Sequence, residues 1–363
     1  MRKLTTKELE IGMVAAEAIM TPQGQELAPA GTELTRQLIN RMKLYRVEYA
    51  MVEGEDPDAQ KVSKTYAQEI KTHSQKVAAS DEFRDFQVTY FQAINRMKAS
   101  YTGLIERHEP IDTAALLSAV SDLFLSRSTI VELFDMIYNM RTMTDAVYSH
   151  CLNVGLISRM IGRWLKFEKH DLDILTLAGL MHDIGKLKIP PEVLEKPDSL
   201  TDEEFAMIRQ HPQFSYDVLK DQILDFRIKN AALMHHERSD GSGYPSHLTQ
   251  SDIDSFAMIV AIADVYDAMT AARSYRAPLC PFQVISIFEQ EGFQKYDTGY
   301  ILTFLRQIAT AYQNNRVMLS DGRGCKIVML NQNALSRPIV QFDDNSCLDL
   351  STASKDLFIK AVV

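Results

Sequence analysis

Between Ile111 and Asn314 nearly every stretch of this sequence places apolar residues three or four positions apart, and that rhythm constrains what the chain can fold into. Residues 113–125, 130–140, 146–165, 172–184, 202–219 and 253–272 all carry it, with Gly and Pro falling between them. A repeat of 3.6 residues lines such positions along one helix face, so each segment is expected to be a helix with one face against a shared core. The expected class is mainly α, a helical bundle with small β-type flanks.

The flanks read differently. Residues 1–54 form a β-rich accessory module: GMVAAEAIM, QELAPAGTEL and VEYAMVEG are short, and Pro and Gly punctuate them at strand-like intervals. A short helix over 36–44 interrupts them. Residues 55–112 are polar and helix-compatible, and Phe83, Phe86, Tyr90, Phe91 and Ile94 keep a rough 3–4 spacing, which predicts a connecting helical hairpin. Residues 113–315 hold the helical block. Residues 316–363 return to β-type runs, CKIVMLN, PIVQFD and LFIKAVV.

Composition excludes several function classes. The formal net charge is −9 with no Lys/Arg block, so a polymeric nucleic-acid partner is not expected. No apolar run reaches the length of a membrane span, and the N-terminus lacks the apolar core of a signal peptide. Cys151, Cys280, Cys325 and Cys347 include no CxxC pair and suit reduced thiols in a cytoplasmic protein.

Chemistry concentrates in the helical block. His150, His182, His211, His235 and His236 are accompanied by Asp183 and Asp264 in the segments HCLNV, HDIGK, HP, HHERSDGSGYP and IADVYDAM. Singly, each is most simply a satisfied core or surface residue. Together, five imidazoles and two carboxylates buried without a cation would leave costly unpaired polar groups. Adjacent helical residues diverge by about 100°, so His182 and Asp183 reach one site from two directions, the Asp giving one oxygen to each of two cations. A pair of bridged divalent cations is the simplest arrangement that satisfies the set.

These motifs, in this order and at these separations, resemble the HD-GYP proteins, a branch of the HD-domain metal-dependent phosphohydrolases. HDIGK, HP, HHERSDGSGYP and the later IADVYDAM carry the resemblance, which covers about residues 113–315. It implies an HD-type helical bundle that hydrolyses the bacterial second messenger cyclic di-GMP. One metal would be held by His150, His182, Asp183 and Asp264, and the other by Asp183, His211, His235 and His236, with a water as nucleophile. Iron or manganese is the expected metal; zinc, cobalt and nickel also suit such donors.

The resemblance also implies that Lys186 approaches the scissile phosphate. Arg273 and Arg276 would contact the substrate. The Gly243-Tyr244-Pro245 loop is expected to be rigid, with Gly243 permitting close approach and Tyr244 available to stack or hydrogen-bond, either on the nucleotide or on a regulatory partner. Asp240 is expected to orient a ligand histidine or the loop, and Glu237 and Asp267 are expected as further supports. Some family members carry a glutamate four residues before the first histidine that helps hold a third metal. Here that residue is Ala146, and the adjacent Asp145 would point about 100° away, so two metals are expected. A receptor that binds cyclic di-GMP without cleaving it is the non-enzyme alternative, and a different cyclic dinucleotide is the other enzymatic one. A homodimer or a signalling partner protein is left open.

Overall fold

The computed structural model describes residues 2–6, 9, 12–21, 26–44, 47, 49–52, 77, 79–125, 130–140, 146–194, 196, 199–271 and 279–363. The chain divides into two units, Met1–Ile70 and Lys71–Val363.

In the first unit, β1 (Arg2–Thr5) pairs antiparallel with β4 (Tyr49–Val52), and β2 (Ile19–Met20) pairs with β3 (Glu26–Ala28). One helix, α1 (Arg36–Leu44), closes its small core through Leu38, Ile39 and Met42, which pack with Ala15, Ile19, Leu34 and Val52. The expected helix over 36–44 and the β-type texture are present. β1 was not anticipated: Arg-Lys-Leu-Thr has no strand pattern of its own and is recruited by pairing with β4.

The second unit is mainly helical: α2 (Asp81–Arg107), α3 (Thr113–Leu125), α4 (Ile130–Met140), α5 (Ala146–Trp164), α6 (Lys169–Met181), α7 (Pro191–Leu194), α8 (Asp202–Ile208), α9 (His211–Leu219), α10 (Phe226–Met234), α11 (Ser255–Thr270), α12 (Pro281–Ile287), α13 (Phe293–Lys295) and α14 (Thr298–Ala311). Among the described residues no helix is long and apolar enough to cross a membrane. α2 starts where Ser80 Oγ accepts from Phe83 N and ends at His108 in the left-handed region. Phe83, Phe86, Tyr90 and Ile94 are buried along it, whereas Phe91 falls on the outer face. The hairpin expected over 55–112 is, in its described part, this single helix; residues 55–76 lie outside the described residues.

A five-stranded antiparallel sheet ends the chain, in the order β8 (Cys347–Asp349), β7 (Ile339–Gln341), β6 (Gly324–Met329), β5 (Arg316–Leu319), β9 (Ile359–Val362). Its inward residues, among them Val317, Leu319, Cys325, Ile327 and Val340, belong to the same core cluster as the helices. Glu289 ties the two together by accepting from Leu335 N and Ser336 Oγ.

One close crossing positions the functional site. A Cβ on Gly179 of α6 would lie 2.7 Å from Gly155 Cα on α5, so the two backbones touch at a point only glycine permits. That crossing brings His150 on α5 beside His182 at the end of α6.

The rhythm over 202–219 predicts one helix, and here the structure differs. Pro212 has no N–H to give the carbonyl of Ile208 four residues earlier, so the helix breaks at Arg209–Gln210 into α8 and α9. The freed Ile208 carbonyl is taken by His211 Nδ1 at 2.6 Å.

Candidate metal centre

Five helices and one 3-10 turn converge on one buried cluster. α5 brings His150. α6 ends in His182 and Asp183, after which a 3-10 turn, Ile184–Lys188, brings Lys186 back so that its Nζ donates to Asp183 Oδ2. α9 begins at His211, α10 ends in His235 and His236, and α11 presents Asp264 and Asp267 three apart on one face.

Asp183 is central and 1% exposed. Its Oδ1 faces His211 Nε2 at 3.0 Å and His235 Nε2 at 3.5 Å. Its Oδ2 faces His150 Nε2 and His182 Nε2, both at 3.4 Å. Asp264 Oδ1 lies 3.1 Å from His150 Nε2. His211 Nε2 is 3.2 Å from His235 Nε2 and 3.1 Å from His236 Nε2. The donor atoms fall into two groups, each within 4.8 Å: Asp183, His211, His235 and His236, and His150, His182 and Asp264.

The local chemistry shows what this cluster is prepared for. His182 Nδ1 donates to Gly179 O at 2.8 Å, His211 Nδ1 to Ile208 O, and His235 Nδ1 to Ala231 O and Ala232 O at 3.1 Å. Each acceptor is a carbonyl in the last turn of a helix, where backbone acceptors lack their usual partners. A carbonyl can only accept, so Nδ1 carries a proton, and a neutral ring held in this way would present its Nε2 lone pair to the centre. His182 Nε2 and Asp183 Oδ1 are buried without a hydrogen-bond partner. Lone pairs that converge with no proton between them repel, and a cation turns that repulsion into ligation. The residues therefore fit divalent metal, and the mixed nitrogen and oxygen donors suit transition metals better than calcium or magnesium, which favour oxygen alone.

Protonation states agree with this fit. Burial brings His235 down to about 4, outweighing Asp183, and His236 is pushed well below the usual imidazole range by burial and by His235 beside it. Burial works against the charge of Asp183, yet the Lys186 ammonium beside it holds it well below the carboxylate range. Burial likewise opposes ionised Asp264, and the hydrogen bond from His150 overrides it. Neutral His235 and His236 beside ionised carboxylates are what metal ligation requires, whereas His150 is held toward its protonated form and would give up its Nε2 proton to a cation.

His150 is held from behind. Burial lowers its pKa, but hydrogen bonds with Asp183, Asp264 and Asp267 raise it well above the usual imidazole range. Asp267 Oδ2 bonds its Nδ1 at 2.8 Å, and Asp267 Oδ1 accepts from Asn153 Nδ2 at 3.0 Å. Asn153 Oδ1 in turn accepts from Tyr90 OH on α2 at 2.7 Å. Asn153 and Tyr90 were not anticipated. Asn153 lies in the turn after His150, a spacing that could have marked it, but no local signal ties Tyr90 to a residue 63 positions away. Asp267→Asn keeps the shape and removes the charge that orients the His150 ring. Metal affinity and turnover should each fall about ten- to a hundredfold, as metal titration and steady-state kinetics would show, and wild-type values would end this role.

Glu237 and Asp240 act on the adjoining loop. Glu237 accepts from Ser246 N at 2.7 Å and Leu248 N at 2.9 Å. Asp240 accepts from Ser242 N and Oγ and touches no histidine of the cluster among the described residues, so of the two roles expected for it only the loop contact is present. A Cβ on Gly243 would lie 2.4 Å from Arg238 N and from Glu237 Cα, so the loop is pressed onto the backbone beside the histidines. Tyr244 stacks on His236, with ring centroids 4.6 Å apart and planes at 22°. Arg209 packs on the same tyrosine, its guanidinium 4.3 Å from the ring centroid, and was not anticipated. Arg273, Arg276 and Asp145 lie outside the described residues. Ala146 opens α5, so it shares the helical register of His150.

The family model described as HD domain matches residues 116–299. The chain is 35% identical over 169 residues to cyclic di-GMP phosphodiesterase PA4108 of Pseudomonas aeruginosa, covering 46% of this chain and 41% of that protein. It is 40% identical over 124 residues to the cyclic di-GMP phosphodiesterase response regulator RpfG of Xanthomonas campestris pv. campestris, covering 34% and 32%. It is 32% identical over 157 residues to 3'3'-cGAMP-specific phosphodiesterase 2 of Vibrio cholerae, covering 41% and 30%. The matched stretches span less than half the length of each of these relatives.

Proposed function

The chain belongs to the HD domain family, and from that premise we propose that residues 113–315 form a metal-dependent phosphodiesterase whose substrate is cyclic di-GMP. The observation that carries the reading is Asp183, whose two oxygens each face a different pair of histidines. In this reading His150, His182, Asp183 and Asp264 hold one cation and Asp183, His211, His235 and His236 the other. Iron or manganese is the expected metal. Two such cations, when bound, lower the pKa of an attacking water and offset the negative charge of the phosphodiester.

The chain's own residues do the rest. The Nδ1 bonds to helix-end carbonyls hold His182, His211 and His235 in the tautomer that ligates. Asp267 does the same for His150. Lys186 places an ammonium beside Asp183, where it supplements positive charge near the phosphate. Burial works against that charge, but Asp183 and Asp264 raise its pKa, so the amine stays charged. Gly243 lets the loop backbone come close, and Tyr244 offers a flat face at the rim. Arg273 and Arg276 retain the substrate role implied by the resemblance. Ala146 offers no carboxylate at the helical position preceding His150, which favours two cations over three and the linear dinucleotide pGpG as product, with GMP as a slower second product.

A second reading has a specific motive, because some similar proteins are named as specific for 3'3'-cGAMP. The deciding experiment is anaerobic reconstitution with Fe(II) or Mn(II), metal analysis, and chromatography of products from cyclic di-GMP and 3'3'-cGAMP in parallel. About two metals per chain and faster cleavage of cyclic di-GMP is the expected result. Preference for the hybrid substrate would move the reading to the second class. Binding without cleavage in the metal-loaded protein would make the protein a receptor.

A further inference from the structure

A cyclic dinucleotide carries two phosphates, and a metal centre that cleaves one leaves the other in need of a cation. Several described cations surround the centre, and most are already engaged. Lys186 Nζ is bonded to Asp183. Arg238 donates to the carbonyls of His235 and Glu237. Arg209 differs. It is exposed, and no carboxylate pairs with it among the described residues. Its recorded side-chain contact is the Tyr244 ring, on which His236 also stacks. The guanidinium therefore stands two ring contacts from a histidine of the metal centre, on the solvent side.

Its backbone is fixed as well. Arg209 closes α8, with its N–H bonded to Phe205 O at 3.0 Å, and lies two residues before His211. The same Pro212 break that frees Ile208 O for His211 turns the chain at Arg209. An arginine held against an aromatic ring keeps its N–H edge available, and that edge matches two phosphate oxygens. A guanidinium pre-placed in this way loses less side-chain freedom when an anion arrives.

We propose that Arg209 is a substrate-binding residue that receives the non-scissile phosphate of the cyclic dinucleotide, using Tyr244 as its platform. This rests on the phosphodiesterase reading above. Its role is binding rather than chemistry, because the group it meets does not change charge during cleavage of the other phosphate. Arg209 should thus contribute to KM and little to kcat.

The test compares the full chain with its Arg209→Ala and Arg209→Lys variants, all Mn(II)-loaded, with cyclic di-GMP as the probe. Arg209→Ala should raise KM about tenfold or more at low salt while kcat stays near the wild type. Arg209→Lys should recover part of the loss, since it restores the charge without the planar fork. The rise of KM with added NaCl should be shallower in Arg209→Ala, a readout that a packing role would not move. Metal content should match the wild type in both variants. A KM within about twofold of the wild type at low salt overturns the proposal. So does a loss of kcat and metal content together, which would make Arg209 a prop for Tyr244 and His236. If the wild type binds cyclic di-GMP without cleaving it, the enzyme reading falls, and Arg209 is judged by the same ratio in Kd. If the wild type neither binds nor cleaves it, both fall.

Discussion

Asp183→Ala should lower hydrolysis by about a thousandfold or more and release both metals, while helicity by circular dichroism stays at the wild-type level. The size follows from what one carboxylate touches. Oδ1 faces His211 and His235, and Oδ2 faces His150 and His182, so no other described residue reaches both halves of the centre in this way. In the two-cation reading, removing it would take a ligand from each cation, and it takes the partner from Lys186. The α5–α6 crossing at Gly155 and Gly179 does not involve the side chain, which is why the fold should survive. Full turnover with a full metal complement in Asp183→Ala would end the bridging assignment.

Chelation should lower the thermal midpoint of the second unit by roughly ten degrees, reversed by Mn(II) or Fe(II). A ligand that binds only the folded chain at about a thousand times its Kd contributes about 4 kcal/mol. Each kcal/mol moves the midpoint of a domain this size by about 2–4 °C. The structural cause is the set of inward Nε2 atoms, whose tautomers are held by helix-end carbonyls and which have no proton to share. His182 Nε2 and Asp183 Oδ1 are left without hydrogen-bond partners in the core, and a bound cation would supply them. The same treatment of Asp183→Ala should leave its midpoint nearly unchanged. A chelated wild type, verified as metal-free, that melts where the loaded protein does would separate the metal site from stability.

Much of the molecule was legible before any coordinates. Helices over 113–125 and 130–140 follow from local apolar spacing, because a 3.6-residue repeat defines a buried face whatever it packs against. The residues that cluster were legible because His-Asp, His-Pro and His-His each sit where a helix begins or ends, and those are local events. Register in the β regions was less legible. β1, β5 and β8 carry little pattern of their own and exist through their partners. The break at 209–210 was missed because the apolar rhythm continues across it. Only the Ile208 carbonyl, which Pro212 cannot bond and His211 Nδ1 takes instead, shows why the helix stops there.

The sequence by itself determined the helical class, the identity of the seven donor residues and the absence of a carboxylate at position 146, since each is a matter of residue type and local spacing. Only the tertiary structure decided how those donors are used. Which nitrogen of each histidine faces inward depends on carbonyls at the ends of separate helices. The orientation of His150 depends on Asp267, Asn153 and Tyr90, drawn from three helices. The place of Arg209 depends on a loop more than thirty residues downstream. Local spacing encodes faces and turns. Directions of lone pairs and charges arise when distant segments pack, because a side chain's hydrogen bonds are set by whatever backbone is brought against it.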